Sequence, residues 1–236
     1  MKKSTKIITT AIALVLVMGF MVVGIMAATS ATASITAQVN WTATAGLQFN
    51  LYASVINSKE HNDYLVSKGS SLAEVDNDYY QIFEESQLDT KTLATVNTKT
   101  TNEAASGISA TMNATFFDDS NDGVNNPRRI YYLYVISNED YNDNLENNSN
   151  LIATITKIPR TTAAVRVTYY TEGSYTGGVP DVTGEYSTTV PTQFVAAKDT
   201  HGGAILAICL TIINPEVSLS GFDAGVSFNF SRTVWY

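Results

Sequence analysis

Hydrophobic and polar residues alternate with a period of two along much of the chain. From Ser34 to Trp41 every second residue is apolar, and the same pattern returns from Leu47 to Val55. Strict alternation over a short segment is typical of a β-strand with one buried face. Residues 151–158 and 226–231 alternate in the same way. Residues 130–136 consist almost wholly of Tyr, Leu, Val and Ile, and residues 164–170 are rich in β-branched and aromatic residues on both faces, which also favours strands.

The segment from Ala204 to Ile213 is apolar on both of its faces. This pattern predicts a central strand that other parts of the molecule cover from both sides. Cys209 lies within it, where a thiol acts as a small buried hydrophobic group. Turn-forming glycine and proline residues separate the predicted strands at the short spacing of antiparallel sandwiches. We therefore predict an all-β fold, an antiparallel β-sandwich.

Two acidic segments interrupt the alternation. Residues 57–107 are predicted to form an insertion on the sandwich, and Ser71–Leu88 within it has the apolar spacing of a short helix. Residues 138–150 are predicted to form an acidic loop that is too polar to bury. Because no repeat and no long linker divides the chain, residues 34–236 are expected to form a single domain.

The N-terminal segment resembles a secretory signal peptide. Three lysines, at positions 2, 3 and 6, precede an uncharged run at residues 7–28, and small residues follow that run. This order predicts a signal peptide helix in residues 1–33, with cleavage after Ala33 and the remainder exported to the cell surface or the medium. As an alternative, residues 7–28 are long enough to remain as an uncleaved anchor, which would be the chain's one contact with a membrane.

Charge and residue counts exclude several classes of function. The chain has 14 Lys and Arg residues against 22 Asp and Glu residues, a net charge of −8. No basic stretch in residues 34–236 is suited to neutralising phosphates, so we expect no nucleic-acid partner. Histidine is limited to His61 and His201, neither of which belongs to a metal or nucleophile motif, so we do not expect an enzyme.

Residues 118–123 match the opening of a calcium-binding loop. Asp118, Ser120 and Asp122 supply oxygen atoms at alternate positions, and Gly123 permits the sharp turn. The position that should carry a bidentate glutamate is Arg129. The same composition is also ordinary turn chemistry, because Asp and Asn side chains bond their own backbone. Apart from calcium at these three residues, no cofactor is expected.

Tyrosines cluster in the predicted strand segments. Their rings are suited to stacking on sugars or on another subunit, and they are equally suited to a core with a solvated hydroxyl group. The sequence leaves both interpretations open. The residues concerned are Tyr131, Tyr132, Tyr134, Tyr169, Tyr170 and Tyr175.

Four segments together resemble the secreted TasA/camelysin-like proteins of Firmicutes. They are SITAQVNW at 34–41, RRIYYLYVISNED at 128–140, GGAILAICLTIINPEVSLSGF at 202–222 and GVSFNFSRTVWY at 225–236. The resemblance implies a jelly-roll-like sandwich and export to the cell surface or biofilm matrix. It also implies assembly into fibres in which an N-terminal strand completes the sheet of the next subunit.

The strand expected after the signal peptide supports the same idea on physical grounds. Ile35, Ala37, Val39 and Trp41 lie on one of its faces, so the terminus carries an apolar stripe that has to be buried. The strand can pair within its own domain or add to the sheet of a neighbouring copy. We therefore expect a secreted, non-enzymatic structural protein whose partner is itself. The alternative is a surface module that binds a glycan or calcium.

Overall fold

The computed structural model describes residues 33–57, 92–116, 129–138, 150–175, 186–197, 203–214 and 218–233. These residues form ten strands and contain no helix. The strands are β1 (Ala33–Ala43), β2 (Gln48–Asn57), β3 (Thr92–Asn97), β4 (Ala105–Phe116), β5 (Arg129–Asn138), β6 (Leu151–Lys157), β7 (Val165–Tyr175), β8 (Gln193–Ala196), β9 (Gly203–Ile212) and β10 (Val226–Arg232).

The strands form two five-stranded sheets. Sheet A has the order β4-β1-β10-β6-β8, and sheet B has the order β3-β2-β5-β9-β7. Every neighbouring pair is antiparallel except β1 and β10, which are parallel. The expectation of an entirely antiparallel fold is therefore wrong for this pair. These two strands are far apart in sequence, so no hairpin turn forces them to run in opposite directions.

A common hydrophobic core lies between the two sheets, which gives a two-layered, sandwich-like arrangement. Alternate residues of the strands point into it, as the period-two pattern predicted. Its centre is aromatic. The Phe49 ring of sheet B lies 4.4 Å from the Phe230 ring of sheet A, and Tyr134 of sheet B lies 5.4 Å from Phe228 of sheet A.

Two adjacent interior strands of sheet B, β5 and β9, are buried on both faces. Leu206, Ile208 and Leu210 belong to the core between the sheets, whereas Ile205 and Cys209 belong to a second apolar cluster on the other face. The both-sided burial predicted for residues 204–213 is thus confirmed for residues 204–210. A strand that is covered on both faces has apolar residues at consecutive positions, so it could be recognised from the sequence.

The tyrosines of the strands are mostly buried. Tyr131, Tyr132, Tyr134 and Tyr169 are buried, and Tyr170 is partly buried against the second apolar cluster. The first four are therefore core residues, which answers for them the question that the sequence left open. The side chain of Tyr175 lies outside the described residues.

Several predicted features also lie outside the described residues. They are residues 1–32 of the signal segment 1–33, the helix at 71–88, most of the acidic loop 138–150, both histidines, and Asp118, Ser120 and Asp122. By contrast, β3 and the start of β4 fall inside the range 57–107, so that part of the predicted insertion belongs to the sheets themselves. In the part of the chain that is described, no helix is long and apolar enough to cross a membrane.

Candidate functional site

The candidate site is β1 together with the slot that holds it. Within sheet A, β1 lies between β4 on one side and β10 on the other. Its ladder with β4 is antiparallel and runs from the pair Ala33–Phe116 to the pair Ala43–Ala105. Its ladder with β10 is parallel and shorter, from the pair Val39–Val226 to the pair Ala43–Phe230. The first described strand is therefore an interior strand of its sheet.

The inward face of β1 carries the stripe that the sequence predicted for self-assembly. Ile35, Ala37 and Val39 are buried in the core, and Trp41 is partly buried against it. On either side, the walls of the slot are apolar. They consist of Met112, Ala114 and Phe116 from β4, and Val226, Phe228 and Phe230 from β10. Fully burying a valine or isoleucine side chain stabilises the fold by about 1.5–3 kcal/mol, so β1 contributes substantially to the core.

Trp41 fixes the register between β1 and β4. The indole Nε1–H donates a hydrogen bond to the Ser109 hydroxyl group, and the indole ring lies over Gly107. The ladder shifts by one residue between Val39 and Asn40, because Ser109 is an extra residue on β4. Bulges of this kind fix how two strands align. A strand that enters this slot must therefore place its tryptophan against the bulge.

The outward face of β1 is polar and is joined to both neighbouring strands by side-chain hydrogen bonds. Thr36 Oγ1 donates to Asn113 Oδ1 of β4 at 2.9 Å. Thr42 Oγ1 donates to Asn229 Oδ1 of β10 at 2.6 Å. Cross-strand pairs of this kind stabilise a sheet by about 0.2–1 kcal/mol each. They also make the slot selective for a strand with these residues at these positions.

The connection from β1 to β2 crosses from sheet A to sheet B and is held by Thr98. Thr98 is buried, and its hydroxyl group accepts the Leu47 N–H at 2.8 Å and donates to the Thr44 carbonyl at 2.9 Å. The Thr98 N–H also donates to the Leu47 carbonyl at 2.8 Å. Gly46 adopts a φ of 85°, which favours glycine. Sequence reasoning did not single out Thr98, because nothing in its local pattern distinguishes it from the neighbouring threonines.

The calcium site predicted at Asp118, Ser120 and Asp122 lies outside the described residues. Among the residues that are described, no three or more His, Cys, Asp or Glu side chains come close enough to hold a metal ion. Cys209 is buried, as the sequence predicted. Its sulphur lies 3.7 Å from Thr211 Oγ1. Tyr132 and Tyr134 lie in the core, where burial raises the pKa of each phenol above its ordinary value.

Comparison of the chain with family models, with curated proteins and with solved structures found no match.

Proposed function

We propose that the chain is a secreted, non-enzymatic structural protein that assembles by exchange of its first strand between copies. The observation that carries this proposal is the position of β1. It is the first described strand, yet it fills an interior slot between β4 and β10 and presents an apolar stripe to the core. A copy that gives up its β1 exposes this slot, and the β1 of another copy fits it residue for residue.

Exchange of β1 between copies costs little in contact energy. Every contact that β1 makes in its own domain is re-formed when it enters the identical slot of a second copy, as in domain swapping. The exchange then depends on the connecting segment and on protein concentration. Only a short connection, residues 44–47, joins β1 to β2, so the strand carries little other structure with it. Repeating the step from copy to copy is head-to-tail and generates a fibre.

The segments that resemble TasA/camelysin-like proteins correspond to four of the strands. They coincide with β1, β5, β9 and β10, which include the proposed donor strand and one wall of its slot. This supports extending the proposal to the properties that the resemblance implies. These are a jelly-roll-like arrangement of the sheets, export by the signal segment 1–33, and a role at the cell surface or in the extracellular matrix.

Cysteine pairing between two chains tests the exchange directly. Thr36→Cys is placed in one chain and Asn113→Cys in another, both in a Cys209→Ala background that removes the native thiol. The two positions are register partners whose side chains meet in the native ladder, within reach of a disulfide. We expect the mixed chains to form a cross-linked dimer under oxidising conditions, since exchange places position 36 of one copy directly opposite position 113 of another.

A second experiment tests whether strand exchange is required for polymer formation. The chain that carries both cysteines is oxidised as a dilute monomer, which locks β1 into its own slot. We expect this form to yield no sedimentable fibres until a reductant is added. The matched control pairs Thr36→Cys with Ser106→Cys, because Ser106 is exposed on β4 opposite Thr42 rather than Thr36. Equal cross-linking in the control, or fibres from the locked form, would contradict the proposal.

A further inference from the structure

The outer face of sheet A is polar and almost free of charge. One row of side chains crosses all five strands in register, and every member is exposed. The row consists of Ser106, Thr42, Asn229, Thr154 and Gln193. We call this row, together with the rows above and below it on the same side, the outer face of sheet A. Its side chains are hydroxyl and amide groups.

The lack of charge on this face contrasts with the rest of the chain. The chain contains 22 Asp and Glu residues and carries a net charge of −8, yet the five strands of sheet A contain no carboxylate. Their charged residues are Lys157 and Arg232, at the ends of β6 and β10. Lys157 is neutralised by Asp223, whose Oδ2 lies 2.6 Å from its Nζ. Two copies can therefore bring these faces together without opposing like charges.

The side chains of this face are also held in place and are complementary to themselves. The Thr42–Asn229 and Thr36–Asn113 hydrogen bonds fix groups on three adjacent strands. Hydroxyl and amide groups both donate and accept hydrogen bonds, so a face built from them can pair with an identical face across a two-fold axis. Ile108, in the next row, is 67% exposed and provides an apolar contact at the same surface.

We propose that the outer face of sheet A is the surface through which copies of this chain associate side by side. Five strands at a spacing of about 4.8 Å make a face roughly 20 Å wide. With a length of roughly 20 Å along the strands, its area is on the order of 400 Å² per copy. A stable interface buries about 800 Å² per partner, so a single pair of copies associates weakly. The contact becomes strong when many copies are aligned in a polymer, because the weak contacts then act together. This face is complete within one copy, so the inference does not require strand exchange.

Adding charges of one sign to the face tests this association. A lysine variant carries Thr42→Lys and Thr154→Lys, and a glutamate variant carries Thr42→Glu and Thr154→Glu. Both positions are exposed, so we expect the fold to be retained, which near-ultraviolet circular dichroism checks. In sedimentation equilibrium, we expect the parent chain to associate as its concentration rises. Each variant alone should associate about tenfold or more weakly, and an equimolar mixture of the two should recover the association.

Control variants place a single charge of either sign on the other sheet. Thr95→Lys and Thr95→Glu alter an exposed threonine of β3 and should leave the association unchanged. Association that persists in both face variants, or a parent chain that remains monomeric up to its solubility limit, would overturn the inference. So would a parent chain that stays monomeric but co-sediments with insoluble neutral polysaccharide through this face, since the partner would then be a glycan.

The experiments distinguish a failure of the strand-exchange proposal from a failure of the face-contact proposal. Cross-linking between Thr36→Cys and Asn113→Cys chains reports strand exchange when both chains also carry the two lysine substitutions, because these weaken the face contact, which also brings exposed positions of two copies together. Recovery of association by the lysine and glutamate mixture reports the face contact alone when it is measured in the oxidised chain that carries both Thr36→Cys and Asn113→Cys, because β1 is then locked in its own slot. If cross-linking fails while that recovery is seen, strand exchange is wrong and the face contact stands. If cross-linking is seen without that recovery, the face contact is wrong and strand exchange stands.

Discussion

Gly107 lies directly against the indole ring of Trp41. A Cβ atom at Gly107 would approach Trp41 Cζ2 to 2.8 Å and Cε2 to 3.0 Å, closer than non-bonded atoms normally come. The ring has little freedom to move aside, because its Nε1–H is bonded to Ser109 and its position is fixed between β1 and the core. The glycine therefore makes room for the tryptophan at the bulge that aligns β1 with β4.

The first prediction concerns this pair. We expect Gly107→Ala to lower the free energy of unfolding by about 1–3 kcal/mol, because the added methyl group overpacks the site and displaces the indole. Urea denaturation followed by tryptophan fluorescence measures the change. The control is Ser106→Ala, at the adjacent exposed position of β4, which should alter the stability by less than about 0.5 kcal/mol.

A double-mutant cycle separates the Trp41 contact from backbone effects. In a Trp41→Leu background, followed by circular dichroism, the smaller side chain leaves room for the new methyl group. The cost of Gly107→Ala should then fall well below its cost in the parent chain. If Gly107→Ala costs the same in both backgrounds, the close approach of the indole does not explain the effect.

The second prediction concerns the connection between β1 and β2. Thr98→Val removes the hydroxyl group that bonds Leu47 N–H and the Thr44 carbonyl but keeps the shape of the side chain. We expect a loss of about 1–3 kcal/mol, since these buried groups lose a partner. Hydrogen exchange at residues 44–47 should accelerate more than exchange in β5. Thr95→Val, at an exposed position of β3, the strand that precedes Thr98, is the matched control, and an equal effect there would rule out the role assigned to Thr98.

Much of the fold could be predicted from alternation alone. The strands β1, β2 and β10 alternate regularly because one face is buried and the other is solvated. The continuous apolar run of β9 indicated burial on both faces, as the structure shows. These elements were predictable because burial at each position follows from the period of the strand itself.

Only the second half of β4, residues 111–116, alternates regularly, because a bulge breaks the pattern in the first half. Gly107 lies on the inner side, where a large apolar residue is expected, and Ile108 lies outside, where it is exposed. The other unpredicted strands were short, such as the four residues of β8. Periodicity needs several consecutive repeats to be recognised, so a bulge or a very short strand removes the signal.

The candidate site was predictable only in part. The apolar stripe of β1 was visible from its own sequence, whereas the slot that receives it depends on strands far away in the chain. The parallel pairing with β10 joins Val39 to Val226, and no local pattern determines such a contact. Thr98 acts through a hydroxyl group on a residue type that is common throughout the chain. Its importance comes from where the fold places it.

The third prediction concerns the two core tyrosines of β5. Tyr132 and Tyr134 are completely buried, and neither phenolic oxygen has a hydrogen-bond partner. Replacing either residue by phenylalanine removes a buried polar group that gains nothing in return, so we expect an unchanged or higher free energy of unfolding. Tyr169→Phe provides the contrast, because the Tyr169 hydroxyl donates to the Pro159 carbonyl at 2.5 Å. That variant should lose about 0.5–1.5 kcal/mol.

The same tyrosines predict how stability changes at high pH. Burial raises the pKa of Tyr132 and Tyr134 in the folded state, so the folded chain binds their protons more tightly than the unfolded chain does. The stabilisation from holding these two phenols protonated is fully present below the unfolded pKa, about 10. The free energy of unfolding then falls as the pH rises above that value. We expect Tyr134→Phe to reduce this alkaline loss in denaturation measured at several pH values. A loss of the same size in Tyr134→Phe would contradict the assignment.

The final prediction concerns Asp223, which precedes β10 and therefore one wall of the slot. The hydrogen bond from Lys157, together with the backbone N–H of Gly225, lowers the pKa of the Asp223 carboxyl group in the folded state. The unfolded chain thus binds the Asp223 proton more readily. The stabilisation is present above the unfolded pKa of about 3.9 and is lost as the pH falls through the lower folded value. Because the two side chains are 48% and 61% exposed, it amounts to less than about 1 kcal/mol.

Asp223→Asn tests this contribution, because asparagine can still accept the Gly225 N–H but cannot pair with Lys157. We expect a small loss of stability at neutral pH that shrinks as the pH is lowered through the acid range, where the parent carboxyl group is also neutral. Lys157→Gln should give the same trend, and the double variant should lose little more than either single one, since both changes remove one interaction. A loss from Asp223→Asn that is independent of pH would place its origin in the turn before β10 rather than in the ion pair.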